Sequence, residues 1–214
     1  MHTTKGLKTL NDNSLLKTVN ILTNCDADLK VIVNRFGPPP LWDRGEGFDT
    51  LLRIILEQQV SLHSAKAAFD KLIANANPLT PQKFLQFSDS DLKSFGFSWQ
   101  KTSYGHNLAH AILEGTLNLS ELRKLDDDSV RSELMKIKGI GIWTADIYLL
   151  MVLKRPDIWP TGDIALAVAM QKIKNLDTRP KHEDMEDISN NWKPWRAVAA
   201  RLLWHYYLNN GKSK

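Results

Sequence analysis

Helical spacing of apolar residues is the feature that most constrains how this chain can fold. Apolar residues recur every three or four positions along most of the 214 residues, and no run alternates apolar and polar residues long enough to predict a strand. Prolines and glycines, such as GPPP at 37–40, break this pattern into short segments, because no helix can cross them. The pattern therefore predicts an all-α protein built of many short helices.

So many short helices cannot share one apolar stripe, which predicts two helical lobes with a cleft between them. We interpret residues 1–214 as a single domain of two lobes. One lobe, of six helices, covers about 45–160 and carries the hairpin described below, and the other is formed by 1–44 plus 161–214.

Composition excludes several classes of protein. The single cysteine, Cys25, cannot form an internal disulfide and excludes an iron–sulfur cluster or a zinc site built on several cysteines. A net charge of +4 allows an anionic partner without identifying one. No apolar run of about 18 residues is present, and the first residues lack the apolar segment of a signal peptide. We expect a cytoplasmic monomer, associated with the nucleoid in a bacterium, without a membrane partner.

The stretch LMKIKGIGIWTADIYLL at 134–150 places Gly139 and Gly141 between two predicted helices. Glycine allows a positive φ or a close approach by another surface, so Gly139 and Gly141 would both let a DNA phosphate touch the backbone. The first amide groups of the second helix lack partners within the helix and form a site for an anion such as a DNA phosphate. Lys138 flanks this turn, and Thr144 offers a hydroxyl group. The alternative interpretation is that the glycines only end one helix tightly.

Asp163 lies where the helix IALAVAMQKI is predicted to begin. The ordinary role of an aspartate at this position is to cap the helix, by accepting hydrogen bonds from its first amides. A capping carboxylate is also held in one orientation, so capping and catalysis by Asp163 are compatible. Gly162 precedes it, and Trp143 lies twenty residues before Asp163 in the chain.

Four motifs, taken together, resemble the helix-hairpin-helix superfamily of base-excision DNA glycosylases. They are the hairpin LxxIKGIGxWTA, the Gly-Asp at 162–163, GFDTLLRIILEQQVSLHSAKAAFDKL at 47–72, and NWKPWRAVAARLLWHYY at 191–207. Their order over about residues 30–210 is most similar to compact, all-helical members of the 3-methyladenine DNA glycosylase II (AlkA-like) branch. The resemblance implies an enzyme of base excision repair that hydrolyses the bond between an alkylated purine, of the 3-methyladenine or 7-methylguanine type, and deoxyribose in double-stranded DNA.

The resemblance also implies roles for individual residues of the active site. Asp163 would stabilise the positive charge that develops on the sugar. Trp143 and Trp204 match aromatic residues that stack on the extruded base, although Trp204 also fits the buried stripe of its helix. Tyr148 lies beside the position of a further pocket aromatic, which is Ile147 in this chain.

Trp143 also stands where strand-cleaving relatives have a lysine nucleophile. The resemblance therefore implies a monofunctional glycosylase without abasic-site lyase activity. An oxidised-base glycosylase that cuts the strand is disfavoured by Trp143 and by the lack of cysteines for a cluster.

The resemblance places DNA contacts in the segment EQQVS, with Gln59 as the residue that fills the gap left by the flipped base. Gln58 and Ser61 belong to the same predicted DNA-binding set. On their own, Gln58 and Gln59 also suit a polar helix end, and Ser61 suits the cap of the next helix.

No cofactor is expected for catalysis. Hairpins of this family can hold a structural Na⁺ or K⁺ with backbone carbonyls, which here would be those of Met135, Ile137 and Ile140.

The competing hypothesis for the whole chain is a helix-hairpin-helix protein that binds damaged DNA without catalysis. The remaining five tryptophans are interpreted as core or interface residues: Trp42, Trp99, Trp159, Trp192 and Trp195.

Overall fold

The structure, a computed structural model, describes residues 9–210, which form thirteen α-helices and no strand. The predicted all-α class is confirmed. The chain divides into two compact units. We call residues 44–148 the central unit, and residues 9–43 together with 149–210 the terminal unit. The second boundary lies between Tyr148 and Leu149, earlier in the chain than the boundary at about 160 that the sequence suggested.

The central unit contains seven complete helices and the first part of an eighth, where the sequence predicted six, because two of them are helices of only four residues. They are α3 (Phe48–Glu57), α4 (Leu62–Asn75), α5 (Pro81–Phe84), α6 (Asp89–Phe95), α7 (Trp99–Leu113), α8 (Leu119–Leu122), α9 (Asp127–Met135) and α10 (Ile142–Met151). Helix α7 packs against α3, α5 and α6, and α4 packs against α3 and α6. The long helix α7 is therefore the centre of this unit.

The terminal unit contains the last residues of α10 and five further helices. They are α1 (Asp12–Cys25), α2 (Ala27–Phe36), α11 (Ile164–Ile173), α12 (His182–Asn190) and α13 (Arg196–Asn210). Helix α13 packs against α1, α2, α11 and α12. Nine of its fifteen residues are buried, which suits a helix surrounded by others.

Local sequence signals set the ends of these helices. Ser61 accepts a hydrogen bond from the amide of Ser64 at 3.1 Å and so caps α4, as predicted. Helix α2 ends at Phe36 because Gly37 adopts a φ of +77° just before the prolines. Lys174, which follows α11, forms ion pairs with Asp26 at 3.2 Å and Asp28 at 2.9 Å. These contacts fix the carboxyl-terminal end of α11, whereas Asp163 lies at its amino-terminal end.

Within residues 9–210, none of the helices combines the length and the apolar character that crossing a lipid bilayer requires.

Candidate functional site

The turn between α9 and α10 in the central unit contains both glycines of the hairpin. Gly139 has a φ of +108°, and a Cβ atom placed there would lie 2.2 Å from Cγ of Tyr104. The surface that approaches Gly139 is thus the ring of Tyr104 on α7, and not an external ligand. A Cβ atom at Gly141 would meet no atom within 4 Å. Of the two glycines, only Gly141 faces open space.

The amino terminus of α10 begins at this open glycine. The amide of Ala145 donates to the carbonyl of Gly141 at 3.1 Å, which makes this the first hydrogen bond of the helix. The amides before Ala145, like the first amides of any helix, have no carbonyl partner within the helix. The first turn of α10 contains no acidic residue. Gly141, Ile142 and Lys138 are exposed. This end of α10 can therefore accept an anion through backbone amides and a nearby lysine.

Gln58 and Thr144 bind each other inside the central unit. Nε2 of Gln58 donates to the hydroxyl of Thr144 at 2.8 Å and to the carbonyl of Gly139 at 2.9 Å. Thr144 is only 1% exposed. The prediction that Thr144 offers its hydroxyl to a phosphate is therefore wrong, because this hydroxyl is buried and accepts from Gln58. Gln58 fastens the segment after α3 to the hairpin turn.

Gln59 differs from Gln58 in its exposure and in its backbone conformation. Its side chain is exposed, and its backbone has a φ of +55°, a conformation uncommon for any residue but glycine. Lys101 on α7 donates to the carbonyl of Leu56 near the end of α3, and burial lowers the pKa of this lysine. The contacts of Gln58 and Lys101 hold the chain on the amino-terminal side of Gln59, so that the exposed glutamine lies on a firmly supported turn.

The three pocket residues predicted on α10 have unequal exposure. Trp143 is half-buried, whereas Ile147 is 2% exposed and Tyr148 is 0% exposed. Burial raises the pKa of Tyr148 above its usual range. Since neither Ile147 nor Tyr148 presents surface to solvent, the prediction that they line the base pocket is corrected to a role in the core. Trp143 remains the candidate on this helix.

The backbone carbonyls of the turn are partly engaged within the protein. The carbonyl of Lys138 accepts from Asn107 Nδ2 at 3.2 Å, and that of Ile137 accepts from the amide of Ile140 at 3.0 Å. A carbonyl oxygen has two lone pairs, so Ile137 can still face a cation. In the described part of the chain, no three His, Cys, Asp or Glu side chains are grouped as metal ligands. Any ion at this turn would thus depend on backbone oxygens.

Asp163 in the terminal unit caps α11, as its position before the helix predicts. Its Oδ1 accepts from the amide of Leu166 at 2.9 Å and from the indole Nε1 of Trp204 at 3.2 Å. The residue is 8% exposed. Two donors, one from α11 and one from α13, thus hold the carboxylate in one orientation.

The bond between Trp204 and Asp163 was not predicted. The sequence suggested that Trp204 was either an aromatic wall or a core residue, and the structure shows it 8% exposed with its N–H on the carboxylate. The two residues lie 41 positions apart in the chain. Because no local pattern connects positions so far apart, only the packing of α11 against α13 shows that Trp204 orients Asp163.

The other tryptophans divide between the core and the surface. Trp159 and Trp192 are buried and pack against each other with ring centroids 5.7 Å apart, as expected of core residues. Trp99, the first residue of α7, is 73% exposed and therefore does not belong to the core. Trp42 and Trp195 are half-buried.

Comparison with known proteins places this geometry in a family. YfjP of Bacillus subtilis is 30% identical over 165 residues, which cover 73% of this chain and 58% of YfjP. The chain thus spans less than two thirds of that relative. The alkylbase DNA glycosidase-like protein mag2 of Schizosaccharomyces pombe is 26% identical over 200 residues, which cover 90% of this chain and 94% of mag2.

A solved structure has the same fold. The 3-methyladenine DNA glycosylase Mag1 of Schizosaccharomyces pombe, in complex with abasic DNA, superposes with a TM-score of 0.84 at 24% identity and covers 92% of this chain and 100% of its own. The family model described as the HhH-GPD superfamily base excision DNA repair protein matches residues 52–194. These findings confirm the resemblance carried by the four motifs. Since the match extends over more than half of its length, the chain belongs to the HhH-GPD superfamily of base excision DNA repair proteins.

Proposed function

We propose that this protein is a monofunctional DNA glycosylase that releases alkylated purines from double-stranded DNA by hydrolysis. The observation that carries the proposal is the orientation of Asp163 by the amide of Leu166 and the indole of Trp204. The relatives support the substrate class, since Mag1 is named as a 3-methyladenine DNA glycosylase and mag2 as an alkylbase glycosidase-like protein. The chain would act as a monomer in the compartment that holds the DNA.

The chemistry suits a single fixed carboxylate. A purine alkylated at N3 or N7 carries positive charge and is already a good leaving group, so the sugar is the part that needs help. As the bond between C1′ and the base breaks, C1′ gains oxocarbenium character, which the negative charge of Asp163 stabilises. Water then adds to C1′ and loses a proton, leaving the free base and an abasic site.

DNA would be held by the central unit. The open amino terminus of α10, with Gly141 and Lys138, fits a phosphate of the DNA backbone. Exposed Gln59 fits the space that a flipped nucleotide leaves in the duplex. Ser61 is exposed beside this turn, but its hydroxyl already caps α4. Binding should therefore weaken as salt increases, because phosphate contacts release counterions.

The strand would remain intact. Cleavage by a strand-cutting glycosylase requires an amine that attacks C1′ to form a Schiff base, and the family resemblance puts Trp143, which has no amine, at the position of that lysine. Borohydride added during turnover should therefore trap no protein–DNA adduct. A trapped adduct would contradict the monofunctional assignment without affecting the glycosylase assignment.

A monovalent cation at the hairpin would assist binding, with no part in the reaction. The carbonyls of Met135, Ile137 and Ile140 would hold Na⁺ or K⁺, which would link the turn to a phosphate. DNA affinity measured at constant ionic strength should then be lower in tetramethylammonium chloride than in potassium chloride. Equal affinities in the two salts would refute the cation.

The direct test is base release from DNA methylated with dimethyl sulfate. The protein should liberate 7-methylguanine and 3-methyladenine, detected by chromatography, while unmethylated DNA yields no free base. The Asp163→Asn variant is the control for contaminating activity. Binding to methylated DNA without release of any base would instead identify a damage-binding protein and refute the enzyme.

A further inference from the structure

Trp42 lies next to the pair of residues that forms the catalytic carboxylate site of the terminal unit. Its ring packs edge-on against Trp204, with centroids 6.5 Å apart and planes inclined at 72°. Trp204 in turn donates its indole N–H to Asp163. We call Trp42, Trp204 and Asp163 the aromatic corner. Trp42 is half-buried, so part of its indole remains open to a ligand, whereas Trp204 is 8% exposed.

The backbone at Trp42 is held in a conformation that side chains disfavour. Its φ is +49°, in the left-handed region. On one side, Nε of Arg201 donates to the carbonyl of Leu41 at 2.9 Å. On the other side, Lys154 forms an ion pair with Asp43 at 3.1 Å. The strained residue is thus fixed on both sides by side chains distant in the sequence.

Arg201 makes this restraint rigid. It is 0% exposed, and its two remaining nitrogens donate to the carbonyls of Ala197 at 3.0 Å and Leu150 at 2.7 Å. A buried guanidinium that donates to three backbone oxygens holds them at fixed positions. The backbone on both sides of Trp42 is therefore restrained by contacts within the protein. Strain maintained in this way is typical of residues that contact a ligand.

We propose that Trp42 recognises the damaged base, by stacking its indole on the positively charged purine beside Asp163. The proposal rests on the proposed glycosylase function. Tryptophan is the aromatic side chain that attracts a cation most strongly, because the face of its ring is electron-rich. An unmodified purine is neutral and gains less from the same contact. Trp42 would thus select alkylated over unmodified bases, while Trp204 mainly orients the carboxylate.

Binding can be measured without catalysis. A duplex that contains 2′-fluoro-7-methylguanosine resists hydrolysis, because fluorine at C2′ disfavours a cation at C1′. The measured quantity is the ratio of the dissociation constant for the unmodified duplex to that for the modified duplex. The proteins compared are the wild type and Trp42→Leu, Trp42→Phe and Tyr207→Leu. Tyr207 on α13 is 43% exposed, so its variant removes an exposed aromatic from the same unit.

The wild type should prefer the modified duplex, and Trp42→Leu should lower this preference roughly tenfold. Trp42→Phe should retain much of the preference, since a benzene ring also attracts a cation, and Tyr207→Leu should leave it unchanged. A wild type without preference, or a folded Trp42→Leu with the full preference, would overturn the proposal.

Circular dichroism decides whether each variant is folded. If Trp42→Leu is unfolded, the same ratio of dissociation constants is compared between Trp42→Tyr and Trp42→His. These two rings attract a cation unequally, so the two variants should prefer the modified duplex to different extents. Equal preferences would overturn the proposal. Base release from methylated DNA is measured separately. If Trp42→Leu loses selectivity but the wild type releases no base, recognition by Trp42 is supported and the glycosylase function is refuted. If the wild type releases base but Trp42→Leu keeps its selectivity, the glycosylase function is supported and recognition by Trp42 is refuted.

Discussion

The amino termini of α10 and α11 have the same backbone chemistry but differ in whether a carboxylate of the protein faces their first amide groups. At α11 the buried carboxylate of Asp163 accepts from the amide of Leu166. At α10 the chain begins with exposed Gly141 and places no acidic residue in the first turn. Because a helix amino terminus favours negative charge, the first end is satisfied by the protein itself and the second is available to an external anion. One helix end thus fixes the carboxylate that we propose to be catalytic, and the other is the end that we propose to bind a DNA phosphate.

The difference also explains why the two glycines of the hairpin have separate tasks. Gly139 admits the ring of Tyr104, which packs α7 beneath the turn. Gly141 is exposed, and a Cβ atom there would meet nothing within 4 Å, so the chain leaves space in front of α10. The first glycine is therefore required for packing, and the second belongs to the surface that we propose to bind DNA.

The largest effect is expected at the closed helix end. Asp163→Asn preserves an N-cap but removes the negative charge, so single-turnover release of 7-methylguanine should fall on the order of 10³-fold with little change in melting temperature. Asp163→Ala should lose the same activity and also about 1 kcal/mol of unfolding free energy, measured in urea. Substantial base release by Asp163→Asn would exclude the electrostatic role of this carboxylate.

The two glycines should separate folding from binding. Gly139→Ala places a methyl group against Tyr104 and forces alanine to adopt a φ of +108°, so we expect a loss of about 2 to 4 kcal/mol of unfolding free energy. Gly141→Ala meets open space and should leave the urea midpoint nearly unchanged, while weakening DNA binding. If Gly141→Ala proves the more destabilising of the two, our division of their tasks is wrong.

An acidic side chain introduced into the first turn of α10 should block the proposed phosphate site. Ile142 is 40% exposed at the first position of the helix, and Ile142→Asp should compete with a phosphate for the positive end of the helix dipole. We expect DNA affinity to fall about tenfold at low salt, and the slope of log affinity against log salt to decrease by about one. Ile142→Asn, similar in size but neutral, is the matched control. Equal affinities for the two variants would indicate that no phosphate binds there.

The smallest effects should distinguish two adjacent glutamines. Gln58→Ala removes both hydrogen bonds to the hairpin and should cost about 1 to 2 kcal/mol of unfolding free energy. Gln59→Ala removes an exposed side chain and should change stability by less than about 0.5 kcal/mol, while weakening binding to a duplex with an abasic site. Equal stability of the two variants would show that the bonds of Gln58 add nothing.

Several elements of the site were predictable from local sequence. Ser61 and Asp163 stand immediately before helical patterns and cap helices in the structure, as short-range hydrogen bonding requires. The placement of Gly141 at an open helix end follows equally from the hairpin motif. In each case the partners lie within a few residues, so the pattern of residue types contains the necessary information.

The remaining assignments depended on contacts between distant segments. The sequence suggested that Thr144 faced a phosphate, but Gln58, 86 positions away, occupies its hydroxyl. Tyr148 was interpreted as a pocket residue and is fully buried. Helical periodicity gives the spacing of a face but does not show what covers it, which is why these residues were misplaced.

The sequence by itself determined the all-α class, the family and the capping role of Asp163, because each depends on neighbouring residues or on recognisable motifs. It also predicts, through the family resemblance, that Trp143 replaces a strand-cutting lysine. Only the tertiary structure decided that Tyr104 fills the space at Gly139, that Trp204 orients Asp163 and that Trp42 packs beside them. The physical reason is that these contacts arise from the packing of helices against one another. That packing is set by side chains far apart in the chain, and no local pattern records it.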